Sequence, residues 1–374
     1  MNIIIAGGGT GGHLFPGIAV YEKLKSLGGG IKVYFIGTER GIENKIKDEY
    51  GFELFTINVK GFSGKSFMNK LNSLIGLFTA AKKVNSIYRN IKPDYVLGLG
   101  GYISLVPLIM ARLKKIECGV MEQNVMPGLS NKILAFLGIT VFASFEETKK
   151  YLRSSRVIAT GNPVREKIFK LAVSESTKKN EFTNKKNLSI FVFGGSQGAS
   201  SLNSAVMNML SRLDEEISGN ITVYHQTGER DLEKVENFYK NAKIAKISKY
   251  EVFSFTDAIE HYYLLSDIVI CRAGAGTLSE LVLLRKPAIL APYPFAAKNH
   301  QEKNASVFSS KGCFKMLKDN ENLSEELLQT ICKIFYNRDL LRYMYENLKM
   351  FAVKDSALEI ADIILNNNIK RGQA

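Results

Sequence analysis

The chain opens Met1-Asn2-Ile3-Ile4-Ile5-Ala6-Gly7-Gly8-Gly9-Thr10-Gly11-Gly12-His13, and this stretch decides the fold. An apolar run bounded by a turn reads as a strand covered on both faces, the environment of a parallel sheet. A glycine turn then leads into residues 17–24, Gly-Ile-Ala-Val-Tyr-Glu-Lys-Leu, whose pattern is helical. Strand, glycine turn and helix together aim backbone N–H groups and the positive end of a helix at a phosphate. Gly7, Gly9 and Gly12 satisfy G-x-G-x-x-G, and Glu39 follows the apolar run 33–36, which is formally a dinucleotide fingerprint. That pattern alone discriminates poorly, and His13 inside the loop points to another use.

The unit recurs in the second half. Residues 188–193, Leu-Ser-Ile-Phe-Val-Phe, form a second apolar strand pattern; Gly194-Gly195-Ser196-Gln197-Gly198-Ala199 is a second glycine loop, and residues 200–213 read as a helix. Between and after these units, strand patterns (32–37, 54–59, 95–99, 140–144, 221–225, 268–271, 288–291) alternate with helical ones. Such alternation predicts α/β architecture with parallel sheets. The turn Gly161-Asn162-Pro163-Val164-Arg165 and the polar, lysine-rich residues 174–187 place a domain boundary near 164. Two phosphate-type loops suit an enzyme that holds a phosphorylated ligand in each half. An NAD-dependent oxidoreductase needs only the first.

The 374 residues allow about two domains of ~150 residues or more. A hydrophobic content of 45% with 23% charged residues is globular. The net charge of +14 fits nucleic acid, an anionic membrane or phosphorylated substrates, or simply solvated lysines. A nucleic-acid binder would cluster basic runs with aromatic platforms, and no such cluster is evident. Cys118, Cys271, Cys313 and Cys332 form no C-x-x-C pair and read as reduced, mostly buried thiols. The apolar N-terminus lacks a basic flank and reads as a strand instead of a signal peptide. The longest uncharged run, 95–111, falls short of the ~18 residues of a spanning helix and contains Gly98, Gly100, Gly101 and Pro107.

The densest polar constellation is Arg272-Ala273-Gly274-Ala275-Gly276-Thr277-Leu278-Ser279-Glu280, after an apolar strand. Small residues admit a ligand to the backbone, and Glu280 can accept hydrogen bonds from two ribose hydroxyls. The alternative is a capping box with Thr277 as N-cap and Glu280 three residues on. Gln301 and Asn304 share a helix face, and paired amides suit sugar hydroxyls. Val120-Met121-Glu122-Gln123-Asn124 ends a strand, where α/β folds place ligands. His13 can donate to a phosphate or act as a general base. No metal cluster or Asp-x-Asp motif is present, so metal-independent chemistry is expected. Residues 62–89 place Phe67, Leu71, Leu74, Ile75 and Phe78 at helical spacing among lysines. That is a helix on the sheet or a basic amphipathic face on anionic lipid.

In this order, Gly8-Gly9-Thr10-Gly11-Gly12-His13, Gly100-Gly101-Tyr102, Glu122-Gln123-Asn124, Gly161-Asn162-Pro163-Val164-Arg165, residues 194–199, residues 272–280 and His300-Gln301 with Asn304-Ala305 resemble the MurG family, bacterial N-acetylglucosaminyltransferases of peptidoglycan synthesis. The resemblance runs to about residue 305. It implies the GT-B fold: two Rossmann-like parallel-sheet domains facing a cleft, residues 1–163 with a returning C-terminal helix of about 354–374, and residues 164–353. It implies inverting transfer from UDP-N-acetylglucosamine (UDP-GlcNAc) to the 4-hydroxyl of MurNAc in lipid I, undecaprenyl-diphospho-MurNAc-pentapeptide, with no cofactor. The nearest alternative is a GT-B transferase acting on a diacylglycerol glycolipid.

By the same resemblance, the donor contacts are Thr10, Gly11, Gly12, Asn124, Arg165, Ser196, Phe255, Thr256, Ala275, Gly276, Thr277, Glu280, Gln301 and Asn304. The acceptor diphosphate falls to Gly9, Thr10, Gly11, Gly12, Gly101 and Tyr102, and His13 is the expected base. A lipid-linked acceptor implies a peripheral enzyme on the cytoplasmic face of the plasma membrane. It would dock on anionic lipid through Leu71, Leu74, Ile75 and Phe78, with cell-wall synthesis proteins as further partners and no nucleic acid. Two positions depart from the family pattern. Met121 stands where members often carry His, and Leu105-Val106-Pro107 replaces the usual Gly-Pro, predicting a longer loop after Ser104.

Overall fold

Every strand pattern near a glycine turn lies in one of two parallel sheets. The computed structural model describes residues 1–9, 11–58, 67–152, 156–175, 186–241, 247 and 249–372. The chain divides into two units: Met1–Glu166 with Lys354–Ala374, and Lys167–Val353. Arg165, expected in the second domain, thus belongs to the first unit.

In the first unit, β1 (Asn2–Ala6), β2 (Lys32–Gly37), β3 (Glu53–Thr56), β4 (Tyr95–Gly98), β5 (Glu117–Glu122), β6 (Thr140–Ala143) and β7 (Val157–Ala159) form a seven-stranded sheet ordered β3-β2-β1-β4-β5-β6-β7. All its pairs are parallel. Ile3, Ile4, Ile5 and Ala6 are fully buried, as a strand with helices on both faces requires. The strand order reverses direction between β1 and β4. Loops leaving that switch point diverge and open a crevice at the carboxyl ends of the strands. The glycine loops at Gly7 and Gly100 leave from there.

The second unit repeats the plan. β8 (Leu188–Phe193), β9 (Ile221–Gln226), β10 (Lys249–Phe253), β11 (Ile268–Cys271), β12 (Ala288–Leu290) and β13 (Lys315–Met316) form a parallel sheet ordered β10-β9-β8-β11-β12-β13. Its switch point lies between β8 and β11, the strands that precede the 194–199 and 272–280 loops.

The C-terminal helix Ser356–Gly372 belongs to the first unit. Its Ala357, Ile360, Ala361 and Ile364 share a core with Leu14, Ile18 and Leu24 of the Gly11–Ser26 helix. Lys23 fastens this return: its Nζ lies 2.8 Å from Asp355 and 3.2 Å from Glu166. Burial opposes the Lys23 charge, but the two carboxylates outweigh it and raise the ammonium pKa.

Two expectations are corrected. The first helix begins at Gly11, so Gly11 and Gly12 form its first turn. No lengthened loop follows Ser104: a helix runs Gly101–Leu113 through Leu105, Val106 and Pro107. Burial of Leu105, Val106 and Leu108 holds it helical despite the proline, and Ser104 Oγ donates to the carbonyls of Ala6 (2.7 Å) and Gly100 (2.8 Å). Among the described residues, no helix is long and apolar enough to cross a membrane.

Candidate active site

The first glycine loop is built around a carboxylate that the sequence did not single out. Glu43 is fully buried and accepts hydrogen bonds from Gly9 N (2.9 Å), Thr38 N (2.6 Å) and Thr38 Oγ1 (2.9 Å). A Cβ on Gly8, Gly37 or Gly41 would lie 2.6, 2.7 or 2.1 Å from that carboxyl group. The glycines therefore admit an internal carboxyl group, and the Gly9 N–H is already satisfied. Glu43, not Glu39, is the acidic residue coupled to this loop. Thr10 lies outside the described residues.

His13 is in the first helical turn, partly exposed, with Nδ1 2.9 Å from Gln123 Oε1. Gln123 Nε2 donates to the Leu99 carbonyl at 3.0 Å. Beside it, Glu122 is buried and accepts from Asn124 N (2.9 Å), Gly128 N (3.1 Å) and Asn131 Nδ2 (2.8 Å). Burial raises the Glu122 carboxyl pKa; these donors and the charge of His13 pull it partly back. The structure therefore brings His13, Glu122, Gln123 and Asn124 together at the ends of β1, β4 and β5. Gly101, at φ 75°, and Tyr102 open the neighbouring helix. The Arg165 guanidinium lies over the Phe15 ring, 5.7 Å from its centre.

In the second unit, the 194–199 loop is backbone packed on backbone. A Cβ on Gly198 would lie 1.9 Å from the Thr227 carbonyl oxygen, and one on Gly228 would lie 2.4 Å from that of Gln197. Ser196 is exposed. The Ser200–Ser211 helix that follows has Ala199 as N-cap, which makes no side-chain cap hydrogen bond; the first N–H groups of a helix point where an anion can bind.

The capping-box alternative for residues 277–280 is not realised. The helix spans Ala275–Leu283 with Gly274 as N-cap, so Thr277 and Glu280 lie inside it. Glu280 accepts 2.9 Å from the hydroxyl of the fully buried Tyr263. Arg272 is buried and engaged elsewhere: it pairs with Asp319 at 2.7 Å and donates to Ser201 Oγ (2.7 Å) and the Ala291 carbonyl (2.8 Å). Gln301 Oε1 accepts from Tyr293 N at 2.8 Å, and Asn304 is fully buried. Phe255 is half-exposed, and Thr256 Oγ1 accepts from Ala258 N at 3.1 Å.

Glu43, Tyr263 and Asp319 stand in no local motif that names their partners, because each engages Gly9, Glu280 or Arg272 from a distant point in the sequence. Cys118, Cys271 and Cys313 are buried and Cys332 partly so. Burial raises the Cys118 thiol to about 12, so it is not a poised nucleophile.

Two Rossmann-like parallel sheets, each with glycine loops and helix N-termini at its switch point, place the chain in the GT-B fold class. Residues 3–142 match the glycosyltransferase family 28 N-terminal domain and residues 189–360 its C-terminal domain. The chain is 36% identical to the UDP-N-acetylglucosamine--N-acetylmuramyl-(pentapeptide) pyrophosphoryl-undecaprenol N-acetylglucosamine transferase of Trichlorobacter lovleyi, covering 98% of each. It is 38% identical to the enzyme of that name from Thermodesulfovibrio yellowstonii, covering 98% of this chain and 99% of that one. The crystal structure of Acinetobacter baumannii MurG superposes with a TM-score of 0.78 at 25% identity, over 98% of this chain and 99% of that one. This chain belongs to the MurG family of glycosyltransferase family 28. The fold alone would not separate it from epimerases: a UDP-GlcNAc 2-epimerase from Neisseria meningitidis gives a TM-score of 0.64 at 13% identity over 99% of this chain.

Proposed function

We propose that this protein transfers N-acetylglucosamine from UDP-GlcNAc to the 4-hydroxyl of MurNAc in lipid I, forming lipid II with inversion at the anomeric carbon. The observation that carries the reading is full-length similarity to transferases of that name, 36% and 38% identical over 98% of this chain. The internal geometry of each unit supports it.

On the donor side, the N-terminus of the Ser200–Ser211 helix and the Ser196 loop suit the UDP diphosphate, whose charge grows as the glycosidic bond breaks. Glu280, held by Tyr263, suits the ribose hydroxyls. Phe255 and Thr256 serve the uracil, Ala275, Gly276 and Thr277 the nucleotide, and Gln301 and Asn304 the sugar hydroxyls. Arg165 and Asn124 remain donor contacts by the family resemblance alone. On the acceptor side, Gly11, Gly12, Gly101 and Tyr102 take the diphosphate of lipid I. Gly9 is a weaker candidate, since its N–H serves Glu43. His13 Nε2 takes the proton of the attacking hydroxyl as the new C–O bond forms and UDP departs.

The protein works on the cytoplasmic face of the membrane as a peripheral enzyme, docked on anionic lipid. Phe78 is 65% exposed with Lys82 over its ring. The side chains of Leu71, Leu74 and Ile75 lie outside the described residues.

UDP release tests the reading. Release should occur from UDP-GlcNAc plus lipid I, and not with diacylglycerol or without acceptor. His13→Ala should lower kcat by about 100-fold or more while UDP-GlcNAc still binds. Near-normal turnover of that variant would remove His13 as the base.

A further inference from the structure

We propose that Gln123 is a positioning residue that fixes the tautomer of His13, placing the ring proton on Nδ1 and leaving the Nε2 lone pair for the acceptor hydroxyl. The inference rests on the reading of His13 as the base.

The argument runs through three groups of known polarity. The Leu99 carbonyl can only accept, and Gln123 Nε2 lies 3.0 Å from it. Gln123 is 2% exposed, so no bulk water offers its amide an alternative partner. Turning the amide over would set its oxygen against the Leu99 oxygen and its NH₂ against the imidazole. The amide oxygen therefore faces His13 Nδ1 at 2.9 Å, and an amide oxygen accepts only. Nδ1 must carry the hydrogen, so the neutral ring holds its lone pair on Nε2. Which nitrogen is protonated is set by the hydrogen bond that the other one makes.

The anchor is rigid. Leu99 is fully buried, and its N–H donates 2.8 Å to the Ala6 carbonyl across the β1–β4 switch point. The relay runs from the sheet to the amide to the imidazole. Its orienter is neutral, whereas the serine-protease triad uses a carboxylate at this place.

Ring ¹⁵N spectra of the full chain, recorded above the imidazole titration range, test the tautomer without reference to turnover. The chain has four histidines, and the His13 signal is the one lost in His13→Ala. The native protein should show the Nδ1-protonated pattern. Gln123→Leu should move the signal toward the Nε2-protonated form and lower kcat by about 10- to 100-fold, with KM for UDP-GlcNAc within about twofold. Gln123→Glu keeps an acceptor toward Nδ1, so it should retain the native tautomer and recover part of kcat. An Nε2-protonated ring in the native protein, or unchanged kcat in Gln123→Leu, overturns the proposal. If Gln123→Leu does not fold, the native spectrum and Gln123→Glu still decide. Full activity of His13→Ala with an intact native Nδ1-protonated signal would defeat the base reading and leave the tautomer assignment standing.

Discussion

Gly276 sits in the second position of its helix, with no positive φ and, among the described residues, no atom beyond its own helix backbone and chain neighbours within 4 Å of where a Cβ would stand; Gly12 does the same in the first unit. The protein's own packing does not need these glycines, and alanine in a helix is more stable by about 0.5–1 kcal/mol. Each leaves room for a ligand to approach the backbone, as the proposed contacts require. Gly276→Ala should therefore melt at the same temperature or higher, while its KM for UDP-GlcNAc rises about tenfold. Unchanged kinetics would show the space to be incidental. Tyr263 offers the complementary case, a buried side chain that touches no ligand in the proposed scheme and holds Glu280. Tyr263→Phe removes one hydrogen bond and leaves the ring. It should raise KM for UDP-GlcNAc about threefold to tenfold, as expected for a net ~1 kcal/mol bond, with kcat unchanged.

At the scale of elements, the helix Gly101–Leu113 packs between the helices Phe67–Ile91 and Leu129–Phe136. This layer leaves Phe78, Leu113 and Phe136 exposed at 65, 73 and 80%, with Arg112, Lys114, Lys115 and Lys132 along the same helices or just beyond them. Apolar side chains among cations suit an anionic bilayer surface. Phe78→Glu combined with Phe136→Glu should lower binding to phosphatidylglycerol vesicles in a sedimentation assay and leave UDP-GlcNAc affinity intact. Equal sedimentation of both proteins would place the docking surface elsewhere.

At the scale of the whole molecule, the second unit carries a built-in acid sensitivity. His225 is fully buried between Tyr239 Oη and Asn203 Oδ1, each 3.2 Å away. Burial, against a smaller opposing pull from Asp231, lowers its pKa from the ordinary 6.5 to about 3. Between those values the unfolded chain holds a proton that the folded one does not, so stability falls as the pH drops. From pH 7 to pH 5 the loss through this group is about 2 kcal/mol. Urea unfolding at both values should show the loss in the native protein and a smaller one in His225→Gln.

The two parallel sheets and most of their strands were legible in the chain, because buried parallel strands are apolar runs and glycine turns punctuate them; the two-residue β13 (Lys315–Met316) has no such run, and the return of the C-terminal helix was implied only by the family resemblance. The helix starting at Gly11 and the one crossing Leu105-Val106-Pro107 were not, because packing against the sheet overrides glycine and proline propensity. The site divides along the same line. His13, Glu122, Gln123, Asn124, Ser196 and Glu280 stand in compact motifs, so the sequence by itself determined which groups are present and that two α/β halves each carry a phosphate-type loop; their order carries the family resemblance that implied a nucleotide-sugar enzyme. Only the tertiary structure decided what holds them: Glu43 under Gly9, Leu99 behind Gln123, Tyr263 behind Glu280, and Arg272 bound to Asp319. Those partners lie 34, 24, 17 and 47 residues apart, and a hydrogen bond between such residues exists only once the sheet has brought its strand ends together.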